Sequence, residues 1–312
     1  MTLFFERTLR MRPVDFGNLP PALAGDLAYR RFCLPRFSKH RSADHVQLAE
    51  RARFHLRHAE WVRVPTTKGE VQAYVFEPEG RRPRAGVLIA HGWTSEASFM
   101  AVFAEQLRRA GFRVVAFDQP GHGKSAQVRV SLIDCAHALL EVAELLGPIQ
   151  FVVAHSMGGL AALLVDEGKP PLPRRYPFER HVLVSSPNRF SVVVRQFADE
   201  IHLGAAARRS FERRLERIAH RPLATLTAAS LVAATKRPVL VIHARDDREV
   251  AFADAEEIAS ECPSVTLAAF DGLGHRNILF APPVIRAAVS YLSRAAGDAG
   301  RGPAGGRAIG GA

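Results

Sequence analysis

Ser156 stands in the run Ala154-His155-Ser156-Met157-Gly158-Gly159, between an apolar stretch and a helix-forming one. A serine on so sharp a turn is forced into a strained backbone conformation that pushes its hydroxyl outward, and small neighbours make room for it. Ala154, Gly158 and Gly159 are those neighbours. The general pattern is G-x-S-x-G, and Ala154 departs from it at the first position. A helix starting near Met157 sets its positive end behind the hydroxyl and favours negative charge there. The chemistry this suits is attack of a serine oxygen on an acyl carbon. A glycine-rich turn alone could also be purely structural, so the partners decide.

A base and an acid are expected after the serine. His275 lies in Gly272-Leu273-Gly274-His275, just past the apolar run Val265–Phe270. A glycine-flanked loop there can swing an imidazole over the turn. Most of the other twelve histidines read as surface or helix residues. His155 is adjacent to the serine, but its side chain should point the other way. His122 reads as a residue that pins its own loop. Asp246 and Asp247 both follow the run Pro238–His243, and either could orient the base. Two backbone amides complete the set. One is that of Met157, and the other is that of Trp93 in His91-Gly92-Trp93, where the glycine lets the chain approach a substrate closely. Together they could hold a developing oxyanion. His91, Gly92 and the Trp93 ring, with Phe190 and Phe197 further on, are candidate walls of a substrate pocket.

These residues need a scaffold that brings them to one edge. Trp61–Val64 and Val71–Phe76 alternate around turn residues and predict a hairpin. The runs Ala85–Ala90, Val114–Phe117, Phe151–Ala154, Val182–Val184 and Val239–Ile242 are unbroken apolar segments, as strands buried on both faces are. Helical stretches near Phe99–Ala110, Leu132–Leu146 and Leu160–Glu167 alternate with them, which predicts a mostly parallel, doubly wound α/β sheet. One connection is too long for a plain loop. In residues 188–235, Phe211, Leu215 and Ile218 sit at helical spacing among Arg208, Arg209, Arg213, Arg214 and Arg217, so an inserted helical cap is expected. Residues 1–60 read as a basic, helical N-terminal extension, with a surface helix over Ser42–His58. Residues 61–187 and 236–295 form the core, and 296–312 read as a disordered tail.

The combined pattern resembles the α/β-hydrolase superfamily and, within it, its lipase- and esterase-like members. The resemblance runs from about Trp61 to Leu292. It rests on His91-Gly92, Asp118-Gln119-Pro120-Gly121-His122-Gly123-Lys124-Ser125, His155 to Gly159, Asp247 and Gly274-His275. It implies Ser156 as nucleophile, Asp247 rather than Asp246 as the acid, His275 as base, and the Trp93 and Met157 amides as oxyanion hole. The order Ser156, Asp247, His275 is the order such enzymes use. The expected reaction is hydrolysis of a carboxylic ester through an acyl-enzyme. Acyl transfer, or cleavage of thioester, amide or carbon–carbon bonds, would use the same triad, and a non-catalytic binding protein could keep the same fold.

Composition narrows the partners. The 312 residues are 47% hydrophobic and 23% charged, enough for a sizeable core. The formal net charge is +11. No nucleic-acid module accompanies it, so nucleic acid is not an expected partner. Contact with an anionic membrane surface stays open, and a small acyl ester is the expected substrate. Cys33, Cys135 and Cys262 are odd in number and widely spaced, which predicts buried free thiols and a reducing, cytoplasmic setting. No cofactor or metal is expected, because no cluster has metal-ligand spacing. No signal-peptide core or membrane span is read in the chain.

Overall fold

The computed structural model describes residues 16–35, 50, 52–79, 83–127 and 129–299. Most of the predicted tail, and residues 42–49 of the predicted surface helix, lie outside them.

Eight strands form one sheet in the order β1-β2-β4-β3-β5-β6-β7-β8. They are β1 (Glu60–Val64), β2 (Val71–Phe76), β3 (Gly86–Ala90), β4 (Arg113–Phe117), β5 (Phe151–His155), β6 (Arg180–Val184), β7 (Val239–Ala244) and β8 (Val265–Phe270). The predicted hairpin is β1–β2, paired with Trp61 opposite Tyr74, and β2 is antiparallel to β4. From β4 to β8 all neighbours are parallel. The unbroken apolar runs are explained by two-sided burial. On β3, Val87 and Ile89 enter one core with Phe103, Leu107 and Ile285, while Leu88 and Ala90 enter the other with Leu139 and Leu163.

The first core is covered by α2 (Ala101–Arg109) and α10 (Pro282–Ala299). The second is covered by α3 (Leu132–Leu145), α4 (Met157–Glu167), α7 (Ala228–Thr235) and α8 (Phe252–Glu261). Helix α3 starts on a reciprocal cap in which Ser131 and Asp134 each accept the other's backbone amide. Helix α4 begins at Met157, directly after Ser156, where the sequence places a helix start. From β3 the chain steps to β4 on one side and then to β5 on the other. The strand order therefore reverses between β3 and β5, the kind of switch point at whose carboxyl ends open α/β sheets bind ligands.

The long connection after β6 contains α5 (Phe190–Glu200), α6 (Ala205–Ala219) and α7. Only α5 and α6 stand away from the sheet helices, since α7 packs on α4 and α8. The N-terminal helix α1 (Pro21–Phe32) lies against α6. Gly25 lets the two backbones close up: a Cβ there would come within 2.9 Å of the Ala207 carbonyl oxygen. An Asp26–Arg214 ion pair of 2.6 Å and the Arg214 guanidinium over the Tyr29 ring flank that contact. The three cysteines are buried free thiols, and burial pushes the Cys33 thiol up to about 12. Among the described residues, no helix is long and apolar enough to cross a membrane.

Candidate active site

Ser156 ends β5 and opens α4 with φ 53° and ψ −128°. A positive φ is strained for a residue with a Cβ, and such strain persists only where the surroundings enforce it. Here the Ser156 amide donates to the Val184 carbonyl at 2.9 Å, and its carbonyl accepts from Gly159 at 2.9 Å. The small neighbours are required by space. A Cβ on Gly158 would lie 2.6 Å from the His91 carbonyl oxygen, and one on Gly159 would meet the Ser186 hydroxyl. Ala154 is fully buried in β5 and pairs with Ala90 of β3 and Leu183 of β6, so a methyl group fits where the pattern has glycine.

The loop after β3 runs against this turn. A Cβ on Gly92 would sit 2.9 Å from that of Ser156. Among the described residues, the amides of Trp93 and Met157 donate no hydrogen bond. Two unsatisfied N–H groups on the loops that flank one serine hydroxyl are what an anion would need. His91 is buried and bridges two loops. Its Nδ1–H donates to the Gly92 carbonyl at 2.7 Å, and its Nε2 accepts from the Gln119 amide at 2.9 Å. With both ring nitrogens so used, His91 fixes the loop after β3 against the loop after β4.

The structure brings the side chains of Asp247 and His275 together. Asp247 Oδ2 lies 2.8 Å from His275 Nδ1. Its Oδ1 accepts the amides of Glu249 and Val250 at 2.9 and 3.0 Å. Burial alone would raise the Asp247 carboxyl, but donation from His243, His275 and the backbone outweighs it and holds the group far below the usual carboxylate range. Asp246 serves the base loop differently, accepting the Leu273 amide at 3.2 Å. Gly272 and Gly274 take φ of 72° and 56° in that loop, which explains the glycines flanking His275. Ser156, Asp247 and His275 are each 8% exposed, so the three sit just beneath the surface.

Several supporting residues were not anticipated. His155 donates from Nε2 to the His275 carbonyl at 3.0 Å, its ring 4.7 Å from that of His275, and so ties the serine turn to the base loop. Burial pushes its pKa well below the ordinary value, so it stays neutral. His243, four residues before Asp247 at the end of β7, places Nε2 3.3 Å from Asp247 Oδ2. Glu249 Oε2 lies 3.8 Å from His275 Nε2, while Arg276 Nε donates to its Oε1 at 2.9 Å. Asp118 is a buried hub that accepts the Ala97 amide at 2.7 Å, the Lys124 amide at 2.9 Å and the Tyr74 hydroxyl at 3.0 Å. An aspartate directly after a buried strand was the available signal. His122 pins its loop: Nδ1–H donates to the Pro120 carbonyl at 2.9 Å, and Nε2 accepts the Thr94 amide at 3.2 Å. Burial lowers its pKa to about 3.

The cap residues Phe190 and Phe197 are 3% and 7% exposed. They pack against Phe32 of α1, with ring centroids 6.1 and 5.0 Å away, and Phe32 in turn stacks on Trp93 at 6.4 Å.

Known proteins share this fold. A model of the alpha/beta hydrolase family matches residues 87–288. A monoacylglycerol lipase of Mycolicibacterium smegmatis is 32% identical over 112 residues, 33% of this chain and 38% of that protein. That match therefore spans well under half of the relative's length. A bacterial membrane phospholipase A superimposes with a TM-score of 0.58 at 17% identity, covering 80% of this chain and 92% of the other. An esterase of Pyrococcus furiosus gives 0.56 at 19% identity, covering 77% and 93%. A proline iminopeptidase of Mycobacterium smegmatis gives 0.57 at 17% identity, covering 78% and 100%. At such identities the structural likeness is one of fold, and that fold carries ester and amide hydrolases alike. The family model, by contrast, extends over most of the chain, from β3 into α10, and the chain belongs to the alpha/beta hydrolase family.

Proposed function

We propose that the protein is a serine hydrolase of small carboxylic esters that works through an acyl-enzyme on Ser156. The observation that carries this reading is the Asp247–His275 pair at 2.8 Å beside a serine held at φ 53°. With Nδ1 engaged by Asp247, the other nitrogen of His275 is left to take a proton from Ser156. Ser156 Oγ attacks the acyl carbon, and that proton passes to His275 Nε2. The carbonyl oxygen becomes an oxyanion, received by the Trp93 and Met157 amides. As the tetrahedral intermediate collapses, the bond to the alcohol oxygen breaks and His275 returns the proton to it. Water then repeats the sequence against the acyl-enzyme, with His275 as base again. Asp247 stays ionised throughout, orienting the ring and stabilising its charged form. The partial match to a monoacylglycerol lipase supports an ester of a small polyol or alcohol as the substrate class.

The test is covalent and kinetic. A fluorophosphonate probe should label the protein at Ser156, and Ser156→Ala should lose the label and lower turnover of a nitrophenyl ester by about 10⁶-fold with an unchanged melting curve. Labelling that persists in Ser156→Ala, or undiminished turnover, would overturn the assignment. An acyl thioester and an anilide assayed in parallel place the ester among its rivals: the ester should turn over fastest.

A further inference from the structure

Phe32 belongs to a helix that precedes the residues matched by the family model, yet it sits at the centre of the aromatic cluster above the candidate site. Its ring lies 5.5 Å from Phe211 of α6 and 5.0 Å from Phe197 of α5, both edge-on, and it stacks on Trp93 at 6.4 Å and 17°. Phe211, Phe190 and Phe197 are buried, whereas Phe32 and Trp93 are only half-buried. The buried three form a back layer, and the half-buried pair is the front. Met157, the residue after the serine, is also half-buried and apolar. Trp93 follows Gly92, whose Cβ position is 2.9 Å from that of Ser156. Apolar rings thus extend from Trp93, the residue after Gly92, to Phe32.

The segment behind Phe32 is fixed to the catalytic edge and not only to the cap. The Cys33 carbonyl accepts the Val130 amide at 2.8 Å, and Pro35 lies 3.1 Å from where a Gly121 Cβ would be. The ring is therefore clamped from two sides, by α5 and α6 above and by the loops after β3 and β4 below.

We propose that Phe32 is a specificity-determining residue: it forms the far wall of the apolar subsite beside Ser156 and limits the length of hydrocarbon chain the ester can carry. This rests on the ester-hydrolase reading above. In it the N-terminal helix is part of the substrate cap, and Phe190 and Phe197 support the wall without lining it. A rigid ring at the end of a subsite rejects added methylenes because they must displace packed atoms, and one methylene in such a pocket changes kcat/KM by about tenfold or more.

The experiment compares Phe32→Ala, Phe32→Trp and Phe211→Leu with the parent protein. Each is assayed on nitrophenyl butyrate and decanoate, and on butyl and decyl acetates, and each is labelled at Ser156 with the fluorophosphonate probe. Phe32→Ala should raise the decanoate-to-butyrate or decyl-to-butyl ratio of kcat/KM by about tenfold or more. Phe32→Trp should lower the same ratio, so a failure of the alanine variant to fold leaves the proposal testable. Phe211→Leu should lower the melting temperature without moving either ratio. Unchanged ratios in both Phe32 variants would overturn the proposal, as would an equal shift in Phe211→Leu, which would mean that cap loosening alone is responsible. Labelling separates the two levels: ratios unchanged in proteins that label at Ser156 sink the wall and spare the enzyme, whereas absence of label in the parent sinks the ester-hydrolase reading itself.

Discussion

The catalytic edge and the cap are built from different interactions. At the edge, short loops after β3, β4, β5, β7 and β8 are cross-tied by backbone and buried side-chain hydrogen bonds. His91 ties to Gln119, His122 to Thr94, His155 to His275, and Asp247 to Val250. In the cap, α1, α5 and α6 meet through aromatic rings and small residues, and their polar contacts are ion pairs at the rim such as Arg214–Asp26 and Arg208–Asp199. Directional bonds in a dry site fix atoms to a fraction of an ångström, because a misplaced donor leaves a buried polar group unsatisfied. Apolar contacts are non-directional and tolerate sliding. On the proposed function, directional bonding lies where charge would develop, and apolar contact lies where the hydrocarbon of an ester would be held.

That contrast can be broken at either end. Asp247→Asn preserves shape but puts an N–H donor where a carboxylate oxygen accepts, so ester turnover per folded molecule should fall by about 10⁴-fold; a loss under tenfold would mean the edge is less directional than described. Phe211→Ala removes the buried ring behind Phe32 and should cost about 3–5 kcal/mol of stability, read by denaturant unfolding, with fluorophosphonate labelling of the remaining folded protein intact.

Acid should act on the edge through His122. Its folded pKa, about 3, lies below the ordinary 6.5, so the unfolded chain binds the proton first. Its contribution is complete above about pH 6.5 and lost as pH falls towards 3, about 2 kcal/mol being gone by about pH 5. His122→Gln should flatten that part of a stability–pH curve. The depressed Asp247 carboxyl adds a loss of the same sign: its contribution is full above the ordinary carboxylate range and fades as pH falls through its lower folded value. The smallest effect belongs to the cap rim, where Arg208→Ala should change stability by about 0.5 kcal/mol or less, since exposed ion pairs contribute little. A larger loss would show that rim charges, and not rings, hold the cap.

The parts of the site that the sequence exposed share a physical cause. Ser156, Gly158, Gly159 and the glycines flanking His275 are constrained by local backbone geometry, which acts over a few residues and leaves a mark in the sequence. The strands were legible for a related reason. Two-sided burial demands an unbroken apolar run, and β3, β4, β5, β6 and β7 each carry one. Less legible were residues whose task is set by a distant partner. Asp118 reads as one more aspartate until Tyr74 and Ala97 are placed against it, and His243 reads as the end of a strand until Asp247 turns back to it. Phe190 and Phe197 were legible as apolar cap residues, but which of their faces meets a ligand and which meets a neighbouring ring is not a local property.

Read alone, the sequence determined an α/β sheet of mostly parallel strands, a serine turn at the end of one of them, and an acid and a base on later loops, because each needs a residue type its own neighbourhood dictates. Tertiary structure set Asp247, the residue the family resemblance implies, and not Asp246, against His275; both leave the same strand, and the path of the loop chooses. It alone joined the N-terminal helix to the cap, through Gly25 against Ala207 and Phe32 against Trp93. Those contacts span from about sixty to more than one hundred and eighty residues of chain. A contact at that separation is selected by the shape of two finished surfaces, and neither surface is written in the residues on one side of it.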